Sequence, residues 1–166
     1  MTDGTQVTFR PIRPQDEPLM VKFHQKLSDR TVYLRYFCSL SLNRRIAHER
    51  LARICFGDYE HEIVLVADYK DPKTGAQHIL GVGRLNKLEG GKEAEVAVLV
   101  SDQHQRRGLG SELLRRLIPI ARVEKLNRLT AEMLRDNLAI QTIFKRFGFR
   151  FRFLAEGSSV QAMLEL

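Results

Sequence analysis

The residues most able to do chemistry lie in the run Gln105-Arg106-Arg107-Gly108-Leu109-Gly110. It follows an apolar, β-branched segment at 96–100 and opens a segment at 109–126 with apolar residues at helical spacing. A strand that passes through a glycine turn into a helix places the first helical N–H groups, which have no partner inside the helix, at the turn with a partial positive charge. Gly108 and Gly110 let backbone approach an anion without Cβ obstruction, and Arg106 and Arg107 add charged donors. The expected ligand therefore carries phosphates. The spacing matches neither GxxxxGK[ST] nor GxGxxG, because Ser111-Glu112-Leu113 follows Gly110.

A second candidate is Glu95, in Ala94-Glu95-Val96-Ala97-Val98-Leu99-Val100. Strand alternation puts Glu95, Ala97 and Leu99 on one face and Ala94, Val96, Val98 and Val100 on the other. Glutamate is depleted in strands, and burying its charge is costly. One reading makes Glu95 a general base whose pKa is raised by desolvation; the other makes it, like Glu93, the exposed start of a strand. Among other titratable groups, His104 and His61 read as surface loop residues, with phosphate contact and the amine entrance as their functional readings. Arg35 reads as a buried member of a structural ion pair, with substrate binding second.

The elements that must position these groups are legible from turn and periodicity signals. A strand at 7–10 is ended by Pro11 and Pro14, and Asp16 is expected to cap a helix running to about residue 27. Further helical stretches are expected at 31–37 and 43–56, the latter with Asn43 as cap. Strands at 63–69 and 78–88 flank the turn cluster Asp71-Pro72-Lys73-Thr74-Gly75 and form a hairpin. After Gly90-Gly91 comes the strand at 94–100, then the long helix, in which Pro119 should free the carbonyl of Arg115 and bend the axis. A strand at 128–134 follows. Asn137 then opens a short helix with apolar Ile140, Ile143, Phe144 and Phe147, closed by Gly148. Final strands lie at 149–153 and 160–164. This order predicts an α/β (α+β) fold, a mixed, mainly antiparallel central sheet with helices on both faces.

The Q-x-x-G-x-G pattern of Gln105 to Gly110 resembles the pyrophosphate loop of the GNAT superfamily of acyl-CoA N-acyltransferases. Asn137 with Phe147-Gly148-Phe149 resembles that superfamily's Asn-opened, Gly-Phe-closed last helix. The segments at 27–37, 79–84 and 94–97 resemble bacterial protein lysine acetyltransferases of the Pat type, which acetylate AMP-forming acyl-CoA synthetases; the likeness covers about Phe9 to Phe153. The resemblance implies a GNAT fold and acetyl-CoA as acyl donor, with no metal. It implies that backbone N–H groups from Arg106 to Gly110 hold the pyrophosphate, assisted by Ser111 and by the side chains of Arg106 and Arg107. Backbone around Val98, Leu99 and Val100 would bond the pantetheine arm where strand 94–100 splays from strand 128–134, and Asn137 would contact that arm. Glu95 would deprotonate the amine before direct attack on the thioester in a ternary complex. Many members carry a tyrosine general acid in the last helix; Phe144 stands at that position here, so that acid is excluded. The implied acceptor is a protein lysine, an AMP-forming acyl-CoA synthetase among the proteins to test. A small amine (polyamine or aminoglycoside) is the near alternative, and a non-catalytic acetyl-CoA-sensing module the alternative from another class. Asp58, Glu60, Glu62, Glu89 and Glu93 are expected to border the acceptor groove and attract a cation.

The 166 residues fit one domain spanning 1–166, and 43% apolar composition supplies its core. The net charge of +7 favours a polyanionic partner. Nucleic acid is disfavoured, since the basic residues are dispersed and no helix-turn-helix, zinc-finger or aromatic-basic signature occurs. Cys38 and Cys55 have no metal spacing and read as reduced, buried thiols. No signal region or membrane-length apolar run is present, so a cytoplasmic protein is expected. The chain has no room for the regulatory domains Pat-type proteins often carry, and control by such a domain is expected to be absent.

Overall fold

The computed structural model describes residues 1–166. A seven-stranded sheet runs in the order β1-β2-β3-β4-β5-β7-β6. Its strands are β1 (Thr8–Pro11), β2 (Glu62–Lys70), β3 (Gln77–Lys87), β4 (Glu93–Val100), β5 (Arg128–Leu134), β6 (Arg150–Phe153) and β7 (Ser159–Glu165). Every neighbouring pair is antiparallel except β4 and β5, which are parallel. The mixed, mainly antiparallel sheet expected from the sequence is the one observed.

Helices cover both faces. On one lie α1 (Glu17–Gln25), α2 (Asp29–Tyr36), α3 (Leu42–Arg45) and α4 (His48–Phe56). Their apolar sides, including Met20, Phe23, Val32 and Leu51, close a core against Val64, Val66, Val82 and Leu99. On the other lie α5 (Leu109–Val123) and α6 (Leu138–Arg146), whose Leu113, Leu114, Leu117 and Phe144 pack on Ile63, Leu65, Leu85, Ala94 and Val96. Alternate residues of β2 and β4 feed opposite cores, as period-2 geometry requires. Helix α5 sits close on β3 because the strand presents glycines to it. A Cβ on Gly83 would lie 2.8 Å from Leu117 Cδ1, and one on Gly81 would lie 3.2 Å from Leu113 Cδ1.

Several local expectations change. The helix expected at 43–56 is two helices. Ser41, not Asn43, caps α3 by accepting from Arg44 N. Arg45 then turns inward, buried, and donates to the carbonyls of Leu40 and His24 at 3.1 and 2.9 Å, which pins the break beneath α1. Helix α2 begins at Asp29, two residues earlier than expected, because Ser28 Oγ accepts from Thr31 N. Asp16 precedes α1 without capping it through its side chain. Its buried carboxylate instead accepts from Arg13 N and takes both guanidinium nitrogens of Arg10 at 2.7 and 2.8 Å. Burial pushes the Asp16 carboxyl up, but the Arg10 and Arg13 hydrogen bonds outweigh it and hold it below the usual range. Helix α5 runs through Pro119, which is exposed on the same side as Arg115; four residues apart, they leave the freed carbonyl facing water. Cys55 is buried as expected, and its thiol is pushed up to about 11, chiefly by burial, whereas Cys38 is exposed. No helix is long and apolar enough to cross a membrane.

Candidate active site

The site is built around the one parallel pairing in the sheet. β4 meets β5 only at Glu93, Ala94 and Glu95, opposite Arg128, Leu129 and Thr130. Beyond that rung the strands part, because β4 stays with β3 as far as Val100 while β5 stays with β7 as far as Leu134. A wedge opens in the middle of the sheet with Glu95 at its apex. Ser101 N donates to Leu80 O, and the backbone of a strand alternates sides along an antiparallel ladder. Glu95, Ala97 and Leu99 therefore commit their backbone groups to β3; Val96 N–H closes the last rung to Thr130, and Val96 C=O, Val98 and Val100 face the wedge. Val100 O is already engaged, accepting from Gln105 Nε2 at 3.0 Å. Leu99 thus contributes its side chain to the α1–α4 core and its backbone to β3, while Val98 and Val100 line the opening.

The wide end of the wedge meets the N-terminus of α5. Arg106 and Gly108 both take left-handed backbone, φ 60 and 86, a conformation Gly108 adopts without Cβ strain. The first intrahelical bond runs from Glu112 N to Gly108 O, so the N–H groups of Leu109, Gly110 and Ser111 precede it and are available to an anion. A Cβ on Gly110 would sit 3.2 Å from Ile143 Cδ1 of α6 and 3.9 Å from Val98 and Val100. The glycine therefore keeps open the place where α5, α6 and the edge of β4 converge. The sequence run thus forms a glycine turn that leaves free N–H groups at the start of α5. Arg106 is exposed and Arg107 pairs with Asp3 at 3.1 Å. The Gln105 side chain bridges Val100 O to Thr31 Oγ1. It ties the loop to α2 beside Asp102, whose carboxylate accepts from Ser28 N, Ser28 Oγ and Thr31 Oγ1. His104 lies half-buried with Nδ1 2.7 Å from Ser101 Oγ. Burial, then the charge of Arg107, pushes it below the usual histidine range.

On α6, Asn137 caps the helix by accepting from Ile140 N. Phe144 is fully buried, its ring 4.7 Å from that of Phe149, so it is core and has no hydroxyl to give. Leu109 is likewise buried, against Ala67 and Leu80.

Glu95 differs from its desolvated reading. It is exposed, and its carboxylate belongs to none of the chain's ion pairs. The parting of the strands is what uncovers it, since the neighbouring rung has no β5 residue beside it. The acidic residues expected to attract a cation are largely engaged elsewhere: Glu62 with Arg84, Glu93 with Arg128, and Asp58 with His61. Arg35, expected in an ion pair with substrate binding as its second reading, has none, and it shares a small pocket with Arg50 and Arg84, which the sequence did not mark. Nothing local relates the three, because they come from α2, α4 and β3.

Comparison with known proteins shows the class to which this fold belongs. Residues 6–150 match the acetyltransferase (GNAT) domain family, and the chain belongs to it. It is an acetyl-CoA-dependent N-acetyltransferase. The structure resembles the GNAT domain of Streptomyces lividans PAT, with TM-score 0.86 and 28% identity over 99% of this chain and 93% of that one. Acetyltransferase PA5475 of Pseudomonas aeruginosa is 26% identical over 149 residues, 90% of this chain and 77% of its own length. Acetyltransferase Pat of Mycolicibacterium smegmatis is 29% identical over 145 residues, and the matched part spans 87% of this chain but 41% of that relative.

Proposed function

We propose that the protein moves the acetyl group of acetyl-CoA onto a primary amine, with Glu95 as general base and a protein lysine as acceptor. The observation that carries this is the wedge: a phosphate cradle at its mouth, an unpaired strand edge along its side and a free carboxylate at its apex. The N–H groups of Leu109, Gly110 and Ser111 hold the pyrophosphate, with Arg106, Arg107 and the Ser111 hydroxyl assisting. The free backbone groups of Val98, with Val96 C=O and Val100 N–H, pair with the amides of the pantetheine arm as a strand edge pairs with an added strand. Asn137 stands at the start of α6 on the same side.

Glu95, at the last paired rung, accepts the proton of the substrate ammonium directly or through water. The amine then attacks the thioester carbonyl, and the C–S bond breaks as the N–C bond forms. Phe144 supplies no proton, so the acylated nitrogen releases its remaining surplus proton to water and the departing thiolate takes one up from water. The likeness to the Pat proteins supports a protein lysine, with an AMP-forming acyl-CoA synthetase as the protein to test. The second reading is a small amine; the pocket beside Glu95, lined by Arg35, Arg50 and Arg84, disfavours polycationic ones such as polyamines.

The test is Glu95→Gln. The variant should bind acetyl-CoA like wild type by calorimetry yet turn over about 10²-fold more slowly or worse, without the rising pH–rate limb of a general base. Unchanged turnover with chemistry rate-limiting removes Glu95 from the mechanism. Gly108→Asp should abolish acetyl-CoA binding by adding bulk and like charge. A wild type that binds acetyl-CoA but acetylates neither proteins nor small amines is a sensing module instead.

A further inference from the structure

On the side of the sheet that α1–α4 cover, β2, β3 and β4 bury Val64, Val66, Val82 and Leu99. The same side of β5, β7 and β6 carries Thr130, Glu132, Gln161, Met163, Arg150 and Arg152. Glu132, Arg150 and Arg152 are exposed there, and Thr130, Gln161 and Met163 are half-buried. None of the six joins an apolar cluster. Their chain neighbours Leu129, Ala131, Ala162 and Phe151 pack in the core on the α5–α6 side. The open half-sheet is continuous with Glu95. Glu95 lies opposite Thr130, Thr130 opposite Met163, and Met163 opposite Arg150, and residues directly opposite each other share a face.

The charges on this face are sorted. Glu95 on β4 and Glu132 on β5 form an acidic centre, and Arg150 and Arg152 on β6 form a basic edge. None of the four belongs to an ion pair of the chain, and Glu132 accepts only from the Ser159 hydroxyl, at 2.8 Å. Arg128, on the same face, is already held by Glu93 and Glu165. From Glu95 to Arg150 is three strand spacings, about 14 Å, which an extended segment covers in about four residues.

We propose that this open half-sheet docks a segment of the acceptor protein, with the target lysine at Glu95 and Asp or Glu side chains about four residues away on Arg150 and Arg152. The proposal rests on Glu95 receiving the amine, and it deepens that reading by naming the acceptor's chemistry: a lysine within an acidic segment. A second copy of this chain fits the face poorly. β5 and β7 have seven residues each, so the face is about 23 Å long and about 10 Å wide. That is a few hundred Å² at most, against about 800 Å² per partner in a stable interface. Two copies also carry like net charge, +7 each. A short acidic segment that binds and leaves fits both the area and the charge.

The probes are two end-blocked nonapeptides with a central lysine and glycine spacers, which carry either Asp or Asn at the third and fourth positions on each side. Calorimetry on the CoA-bound enzyme at low salt should show about three- to tenfold tighter binding of the Asp peptide, as expected for two exposed charge pairs. The preference should shrink at high salt. With acetyl-CoA, the same ratio should appear in KM and not in kcat. Reversing the charge in the double variant Arg150→Glu, Arg152→Glu should abolish the preference, and a peptide with Lys at those four positions should bind that variant more tightly than it binds wild type. The acetyl-CoA thermal shift reports that the variant is folded; if it is not, Arg150→Gln and Arg152→Gln should each reduce the preference. Equal affinity for the Asp and Asn peptides, binding of neither, or a preference that survives charge reversal overturns the proposal. So does a dimer in sedimentation that charge reversal dissociates, which would give the face to a second copy. Failure of the acyl-transfer reading would appear separately, as preferential binding of the Asp peptide without its acetylation.

Discussion

His24 should make the protein acid-sensitive well above the range where its carboxylates titrate. The ring is buried between α1 and the sheet, its Nδ1 is unpartnered, and burial together with Arg50 and Arg45 pushes its pKa from the ordinary 6.5 down to about 3. In the unfolded chain the ring takes a proton below about 6.5, while in the folded chain it stays neutral until about pH 3. The unfolded state thus binds more protons between those values, and stability must rise with pH across them. The contribution is complete above pH 6.5 and is lost as pH falls. At about 1.4 kcal/mol per pH unit, lowering pH from 6.5 to 5 removes about 2 kcal/mol, or about 4–8 °C of Tm for a chain of this size. The depressed carboxyls of Asp16 and Asp102 act lower, where carboxylates protonate. His104, also depressed, acts in the same direction and is common to both proteins compared. Urea midpoints of wild type and His24→Gln, measured at pH 8, 6.5 and 5, isolate the effect: the variant should lose about 2 kcal/mol less between pH 6.5 and 5. Parallel pH slopes in the two proteins would refute the assignment of a buried, uncharged ring.

Gly83→Ala should destabilise by about 1–3 kcal/mol in urea unfolding, because the new Cβ would lie 2.8 Å from Leu117 Cδ1 and must displace that side chain within a closed core. An unchanged urea midpoint would refute the close contact between α5 and β3. Asp3→Ala should tighten acetyl-CoA binding severalfold at low salt, because it releases Arg107 from its 3.1 Å ion pair; the gain should disappear at high salt, where exposed charges are screened.

Much of the machinery was legible because its signals are local. The glycine pair at Gly108 and Gly110, the strand before it and the periodic helix after it all lie within one short stretch, and the strand-turn-helix unit follows from their order. The hairpin of β2 and β3 was marked by its turn cluster, and the start of α6 by Asn137, which caps it as expected. Local signals failed where a distant group decided the outcome. Asn43 has the chemistry of a cap, but the buried Arg45 reaching back to Leu40 and His24 ends α3 and splits the expected helix. Asp16 also has a cap's chemistry, but Arg10 on β1 claims its carboxylate.

The sequence alone determined most of the elements, the mixed sheet and the glycine turn that opens α5, because backbone hydrogen-bond requirements, Cβ sterics at glycine and period-2 or helical apolar spacing act between neighbours in the chain. It also excluded a tyrosine acid, since Phe144 carries no hydroxyl. Only the tertiary structure decided where β4 parts from β5, and so that Glu95 is exposed at the apex and not buried in a strand. It also placed Arg35, Arg50, Arg84 and His24 around one cavity. They come from three helices and a strand, and no spacing rule relates them; packing against a common sheet face brings them together and leaves the Arg35 guanidinium without an ion pair and His24 Nδ1 without a hydrogen bond.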